Sequence, residues 1–340
     1  NKLIDAKFLN KVNESDLEDG IYKGLLEGLN DPYSVYYTAE EYQKMMEQTS
    51  GTYSGIGALV SQNAETGIIT VVKAFADAPA AKAGVKNGDI IYKVKGKEVT
   101  GVDINNVVTE MKGEKGTTVD ITVYRESEKK YIDFTITRDQ VNEPTVEYKM
   151  LDKKKKIGYI QISQFEEVTY DQFTKALDDL KKQGMKAVIF DVRSNPGGLY
   201  ETVCKMLDEI LPEGNLVSTK DKYGNEEKQT SDSKCLEMPM VVLQNKDSAS
   251  ASEIFAGAIQ DFNAGKIVGT QSFGKGIVQT ILPLSDGSAV KLTVQDYYTP
   301  SGKNIHGKGI TPDVEAELEE NATSDTQLEK AKETIMELMK

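Results

Sequence analysis

Along the first fifty residues apolar side chains fall at helical spacing: Leu17, Ile21, Leu25 and Leu29 recur every fourth position, the row that shares one side of an α-helix. Ser15 stands where an N-cap is wanted. The stretch TAEE, Thr38 to Glu41, has the reciprocal spacing of a capping box and predicts a second helix. Between the two, LNDPYSVYY (29–37) contains Pro32, which breaks a helix. From residue 51 the texture changes to short strands punctuated by glycine, and this continues to about residue 138. Residues 138–156 read as a junction. Its four lysines, Lys153 to Lys156, are a solvated loop rather than a basic patch. Thereafter strands and helices alternate. Residues 157–163 and 185–192 are predicted strands around a helix at about 170–182, a βαβ unit. Residues 277–284 and 289–298, joined through Asp286 and Gly287, predict a hairpin. Ser324 to Gln327 is predicted to cap a last helix carrying Leu328, Ala331, Ile335 and Leu338. Three domains are expected: a helical region at 1–50, a strand-rich domain at 51–140 and an α/β core with a C-terminal helix at 141–340.

Composition narrows the function classes. The chain of 340 residues is 39% hydrophobic and 28% charged, ordinary for a folded protein. It contains no window of about 18 uninterrupted apolar residues, so no segment reads as a membrane span. The chain opens on Asn1 rather than methionine, and a removed leader or membrane anchor is expected. Net charge is −13, and Arg125, Arg138 and Arg193 are the only arginines, which argues against a nucleic-acid partner. With His306 the only histidine, a His-rich metal site is excluded. Cys204 and Cys235 lack metal-like spacing, and two ordinary thiols are favoured over one bridge.

Candidate chemistry concentrates in KDSASASEIFAGAIQD (246–261), where Ser248, Ser250 and Ser252 alternate with alanine after the apolar run 241–243. Ser250 and Glu253 form a capping box, and Ile254, Phe255, Ala258, Ile259 and Phe262 make one apolar helix face. Capping alone would account for Ser250. Yet a hydroxyl at a strand-to-helix turn is also where a nucleophile is well placed, because free N–H groups and the positive helix end can stabilise an oxyanion. A nucleophilic serine needs a base. His306, in the glycine-rich stretch SGKNIHGKGITPD (301–313), is a poor one. Lys275, in QSFGKGIVQT (271–280) between Gly274 and Gly276, is better: burial can hold a lysine neutral, and the glycines allow close backbone approach. Ser231 to Lys234 also spells S-x-x-K, but it follows a polar loop and has no K-T-G companion, so it is discounted.

Two resemblances join these pieces. YSGIGALV (53–60), the pattern A-x-x-A-G-V-x-x-G-D-x-I over 80–91 and KGEKGTTVDITVYR (112–125) resemble a PDZ domain. Its N–H groups at Gly55, Ile56 and Gly57 would hold a terminal carboxylate, and the adjacent strand edge would pair with an extended peptide. Lys112 either helps sense the bound tail or is a solvated lysine. The ordered set of LNDPYSVYYT, the PDZ pattern, DVRSNPGG (191–198), SASASEIF, FGKGIVQ and GKGITPD resembles the carboxyl-terminal processing, or tail-specific, proteases of peptidase family S41, over essentially the whole chain.

That resemblance implies a multidomain α/β protein: a ClpP/crotonase-like protease core with an inserted PDZ domain and an N-terminal helical arm. It implies a serine endopeptidase without metal or organic cofactor. Ser250 is its nucleophile, Lys275 its base and Gln279 the residue that orients the lysine; Ala251 with Gly197 or Gly198 forms the oxyanion hole. It further implies protein or peptide substrates with free C-termini, a homodimer made through the N-terminal helices, and an extracytoplasmic location in a bacterial envelope, with or without a membrane anchor. A non-catalytic PDZ scaffold that gathers protein tails is the alternative. A straight strand would put the Lys275 and Gln279 Cα atoms about 13 Å apart, so a turn or bulge is expected around Gly276.

Overall fold

A computed structural model describes residues 2–318, 322 and 324–340. The chain forms two compact units, one from residues up to Thr49 together with Thr145 onward, the other Ser50–Pro144.

The first unit is built on a six-stranded sheet ordered Val146–Asp152, Ile157–Ile162, Ala187–Asp191, Met240–Gln244, Gly265–Gly269 and Val314–Glu315. The first pair is antiparallel and the remaining pairs are parallel. Every residue of Ala187–Asp191 and Met240–Gln244 is buried, as expected for central parallel strands covered on both faces. Alternation sorts their side chains. Val188, Phe190 and Val242 pack with helices Thr169–Lys182, Tyr200–Asp208 and Ala251–Asp261, whereas Ala187, Ile189 and Val241 pack with Ala331 and Ile335 of the terminal helix Thr326–Leu338. Phe255, fully buried, meets Phe190 edge-on at 5.3 Å and Phe173 at 6.5 Å. Those rings fix the register of Ala251–Asp261 and therefore the position of the turn before it. Truncating Phe255 to alanine would cost about 3–5 kcal/mol.

A second sheet runs Val35–Tyr37, Ala289–Tyr298, Gly214–Asp221, Glu226–Ser231, with Ile277–Pro283 pairing antiparallel to Ala289–Tyr298 through the expected hairpin. The N-terminal segment thus contributes a strand as well as helices Lys2–Lys7, Glu14–Glu27 and Ala39–Ser50. The Thr38 capping box is present: Thr38 N–H donates to Glu41 at 2.9 Å and Glu41 N–H to the Thr38 hydroxyl at 3.2 Å. Two other caps differ from expectation. Asn13, not Ser15, caps its helix, its Oδ1 accepting the Ser15 N–H at 3.2 Å, which leaves Ser15 inside the first turn. Asp325, not Ser324, caps the last helix by accepting the Leu328 N–H at 2.9 Å, while Gln327 reaches Ala316 O instead. Asn and Asp cap as well as serine, so composition alone could not choose. The stripe of Ile21, Leu25 and Leu29 is more than half exposed, and Leu26 is the buried residue of that helix.

The second unit is a sheet ordered Ala58–Gln62, Ile69–Ala74, Ile90–Val94, Thr118–Arg125, Lys130–Thr137, with Ala58–Gln62 on its edge. Helix Ile104–Met111 closes its core with Val107 and Met111 against Val71, Ile91 and Ile121. A small sheet pairs Thr52–Gly55 with Asp139–Asn142. The buried Arg125 guanidinium donates to both oxygens of Asp89 at 2.7 Å.

Candidate active site

The strand Met240–Gln244 ends in a turn that delivers Ser250 to the start of helix Ala251–Asp261. Two of the three serines have structural work. The Ser248 hydroxyl donates to Val192 O at 2.7 Å and the Ser252 hydroxyl to Asn195 O at 2.9 Å, both buried. Ser250 differs. Its backbone has φ +55° and ψ −115°, a region that a residue with a Cβ rarely occupies, and its side chain is half-buried on the wall of a cleft of about 900 Å³. Its N–H donates to the Glu253 carboxylate at 2.9 Å.

The loop after Ala187–Asp191 passes beside this turn. Asn195 Nδ2 donates to Ile162 O at 2.9 Å, Ala249 N–H donates to Asn195 O at 3.0 Å, and Gly197 N–H donates to Asn195 Oδ1 at 2.8 Å. The contact needs glycine: a Cβ on Gly197 would lie 2.7 Å from Ala249 O and 2.8 Å from Ser250 Cβ, with φ at +107°. Gly197 N–H is therefore occupied. Gly198 N–H and Ala251 N–H meet no protein acceptor among the described residues, and both residues line the cleft with Ser250.

Lys275 lies in the irregular segment before strand Ile277–Pro283. A Cβ on Gly274 would lie 2.9 Å from Lys308 N and one on Gly276 2.5 Å from His306 N, so the flanking glycines do permit a close backbone approach. The half-buried Lys275 side chain places its ammonium 4.8 Å from the centroid of the Tyr33 ring. Burial, and then the nearby charge of Lys291, hold its pKa below the ordinary lysine value; Asp31 and Glu253 pull the other way. No hydrogen bond joins Lys275 to Ser250 or Gln279 among the described residues. Gln279 lines the same cleft as Ser250 and Lys291, and its buried Nε2 has no partner among the described residues. The register shift lies between Val278 and Gln279 rather than at Gly276, where the strand has not begun. His306 is exposed in its loop.

Gly55, Ile56 and Gly57 belong to the other unit. They precede the edge strand Ala58–Gln62, and the N–H groups of Ile56 and Gly57 meet no acceptor among the described residues, while their carbonyls accept from Ala80 and Phe75. Gly57 has φ +74°, and a Cβ there would lie 2.3 Å from Ala78 Cβ. The Lys112 ammonium stands 4.9 Å from the Tyr53 ring centroid. Cys204 and Cys235 are free, and burial pushes the Cys204 thiol up to about 12. Ser231 sits buried on its strand with its hydroxyl donating to Pro212 O, and Lys234 pairs with Glu209 at the surface, so S-x-x-K forms no site. Sequence reading missed Tyr33, Asp31 and Lys291 as neighbours of Lys275; they come from distant segments and carry no local signal.

Comparison with known proteins gives three family matches: peptidase family S41 over residues 156–316, a PDZ domain over 54–136, and the activating protease CtpB N-terminal domain over 1–41. A carboxy-terminal-processing protease of Bartonella bacilliformis is 38% identical over 322 residues, covering 92% of this chain and 73% of that protein. A CtpA-like serine protease of Staphylococcus epidermidis is 38% identical over 315 residues, covering 92% of this chain but 63% of that protein. Among solved structures, the photosystem II D1 C-terminal processing protease aligns with TM-score 0.55 and 28% identity over 98% of this chain and 90% of its own. An S41 protease of Bacteroides fragilis, 16% identical with TM-score 0.59 over 98% and 92% of the two chains, shares the fold.

Proposed function

The chain belongs to the carboxy-terminal-processing proteases of peptidase family S41, and from that premise we propose that it is a serine endopeptidase that captures protein C-terminal tails on its PDZ unit and cuts near them with Ser250, Lys275 and Gln279. Ser250 Oγ attacks the scissile carbonyl carbon as neutral Lys275 takes its proton. The lysine then returns the proton to the leaving amine, and water hydrolyses the ester by the reverse route. Gln279 orients the lysine. Ala251 N–H and Gly198 N–H stabilise the oxyanion. The observation that carries this reading is the convergence, on one cleft, of a serine in strained backbone at a helix start with two N–H groups and a buried amide end that have no partner among the described residues. To act, the Lys275 amine leaves the Tyr33 ring and meets Ser250; its depressed pKa supports the neutral form this needs.

The core is read as ClpP/crotonase-like, supported by parallel central strands with helices on both faces. On the PDZ unit the N–H groups of Ile56 and Gly57, which have no acceptor among the described residues, and the edge strand Ala58–Gln62 after them would take the tail carboxylate and pair with the extended chain. The exposed Ile21, Leu25 and Leu29 stripe supports a homodimer through the N-terminal helices, which sedimentation would test; a monomer at all concentrations would reject it. Among the described residues no helix is long and apolar enough to cross a membrane. An extracytoplasmic location, with or without a membrane anchor, is proposed from the family alone, and cell fractionation would test it. The deciding experiment compares the wild type with Ser250→Ala on one peptide: cleavage lost by at least about a thousandfold with tail binding retained supports the reading. Cleavage surviving in Ser250→Ala would reject it.

A further inference from the structure

Sequence reading assigned Glu253 only the closing half of a helix cap. In the structure it is wholly buried and receives four hydrogen bonds. Oε2 accepts the N–H of Ser250 at 2.9 Å and of Lys275 at 2.8 Å; Oε1 accepts the N–H of Gly274 and the hydroxyl of Ser272, both at 2.6 Å. A helix cap needs only the first. The other three come from the segment that carries Lys275. Four donors on two oxygens is a set that a carboxylate fills and an amide cannot, because an amide presents N–H groups of its own.

Resting on the reading of Ser250 and Lys275 as nucleophile and base, the geometry points to Glu253 as a positioning residue: one buried carboxylate that ties the backbone of the nucleophile to the backbone of the base. Two features give such a tie a role beside the Phe273 N–H bond to Ser248 O at 3.0 Å. Ser250 is held at φ +55°, a conformation that must be maintained by its surroundings. Residues 271–276 have no regular secondary structure, so no sheet ladder places Lys275. Glu253 also faces the base electrostatically. The charges about Lys275 are Glu253 from the helix, Lys291 from strand Ala289–Tyr298 and Asp31 from the N-terminal segment, beside the Tyr33 ring. The negative charge of Glu253 favours the protonated lysine, so its removal favours the neutral form and moves the acidic limb of activity to lower pH. A role in folding alone would leave that limb where it is.

The test uses the full chain and a peptide with a free carboxylate, with kcat and KM followed across pH and thermal melting as the measure of folding. Glu253→Gln is expected to lower kcat roughly a hundredfold with KM near wild type and the acidic limb at lower pH. Glu253→Asp keeps the charge but falls short of both donor pairs, so kcat drops while the limb stays. An unmoved limb in Glu253→Gln overturns the proposal, whether kcat is wild-type or has fallen only in step with the folded fraction. Should Glu253→Gln fail to fold, Glu253→Asp and Ser272→Ala carry the test, and wild-type kcat in both overturns it. Ser250→Ala separates the two levels. A wild type no more active than Ser250→Ala rejects the reading of the site and the tie with it; Ser250-dependent cleavage with an indifferent Glu253→Gln rejects the tie alone.

Discussion

Replacing Gly197 by alanine tests the close approach of its loop to Ser250. The new Cβ would stand 2.8 Å from Ser250 Cβ and 2.7 Å from Ala249 O. Carbon atoms in ordinary contact sit about 3.5 Å apart, so the clash is relieved by moving the loop and the nucleophile apart by about 0.7 Å. A misplacement of about 1 Å costs on the order of a hundredfold in rate; about 0.7 Å then corresponds to roughly 25-fold in kcat/KM, or about 2 kcal/mol. Positive φ adds a conformational cost of about 1–2 kcal/mol to stability. Gly302→Ala is the matched control, since Gly302 also has positive φ, +80°, but a Cβ there would meet nothing within 4 Å. Both variants are expected to melt lower than wild type, and only Gly197→Ala to lose kcat/KM in a continuous peptide-cleavage assay. Equal kcat/KM for the two folded variants would refute the argument that this loop sets the position of Ser250.

Three further outcomes are expected. With Lys275 as base, kcat/KM rises with pH through an apparent pKa below that of free lysine, because burial and Lys291 both disfavour the charged form; a limb at the ordinary lysine value would contradict this. Lys275→Arg is expected to lose activity by at least about a hundredfold, since guanidinium stays protonated, and full activity there would remove Lys275 from the mechanism. A substrate presented as a C-terminal amide should be cut several-fold more slowly than its free acid, because the N–H groups of Ile56 and Gly57 lose the charge they would bind. Equal rates would show that the carboxylate is not read.

Features carried by residues near one another in sequence were already legible. The βαβ alternation, the hairpin through Asp286 and Gly287, the Thr38 box and the turn at Ser250 each depend on a few consecutive side chains whose period or capping chemistry is local. The motifs around Ser250 and Lys275 were legible for the same reason, as short strings. Where local chemistry was degenerate the reading slipped, as at Asn13 and Asp325, which cap as well as the serines beside them. What only the tertiary structure decided is how distant strings meet. It brings Tyr33 and Lys291 to Lys275, engages Gly197 N–H with Asn195, gives that of Gly198 no acceptor among the described residues, and puts the bulge at Gln279. Above all it carries residues 272–275 onto Glu253, whose carboxylate had no partner in view beyond its own helix turn. Such contacts follow from the sheet order and the packing of the phenylalanines beneath Ala251–Asp261, and neither period nor spacing along the chain encodes which buried donors a carboxylate will finally face.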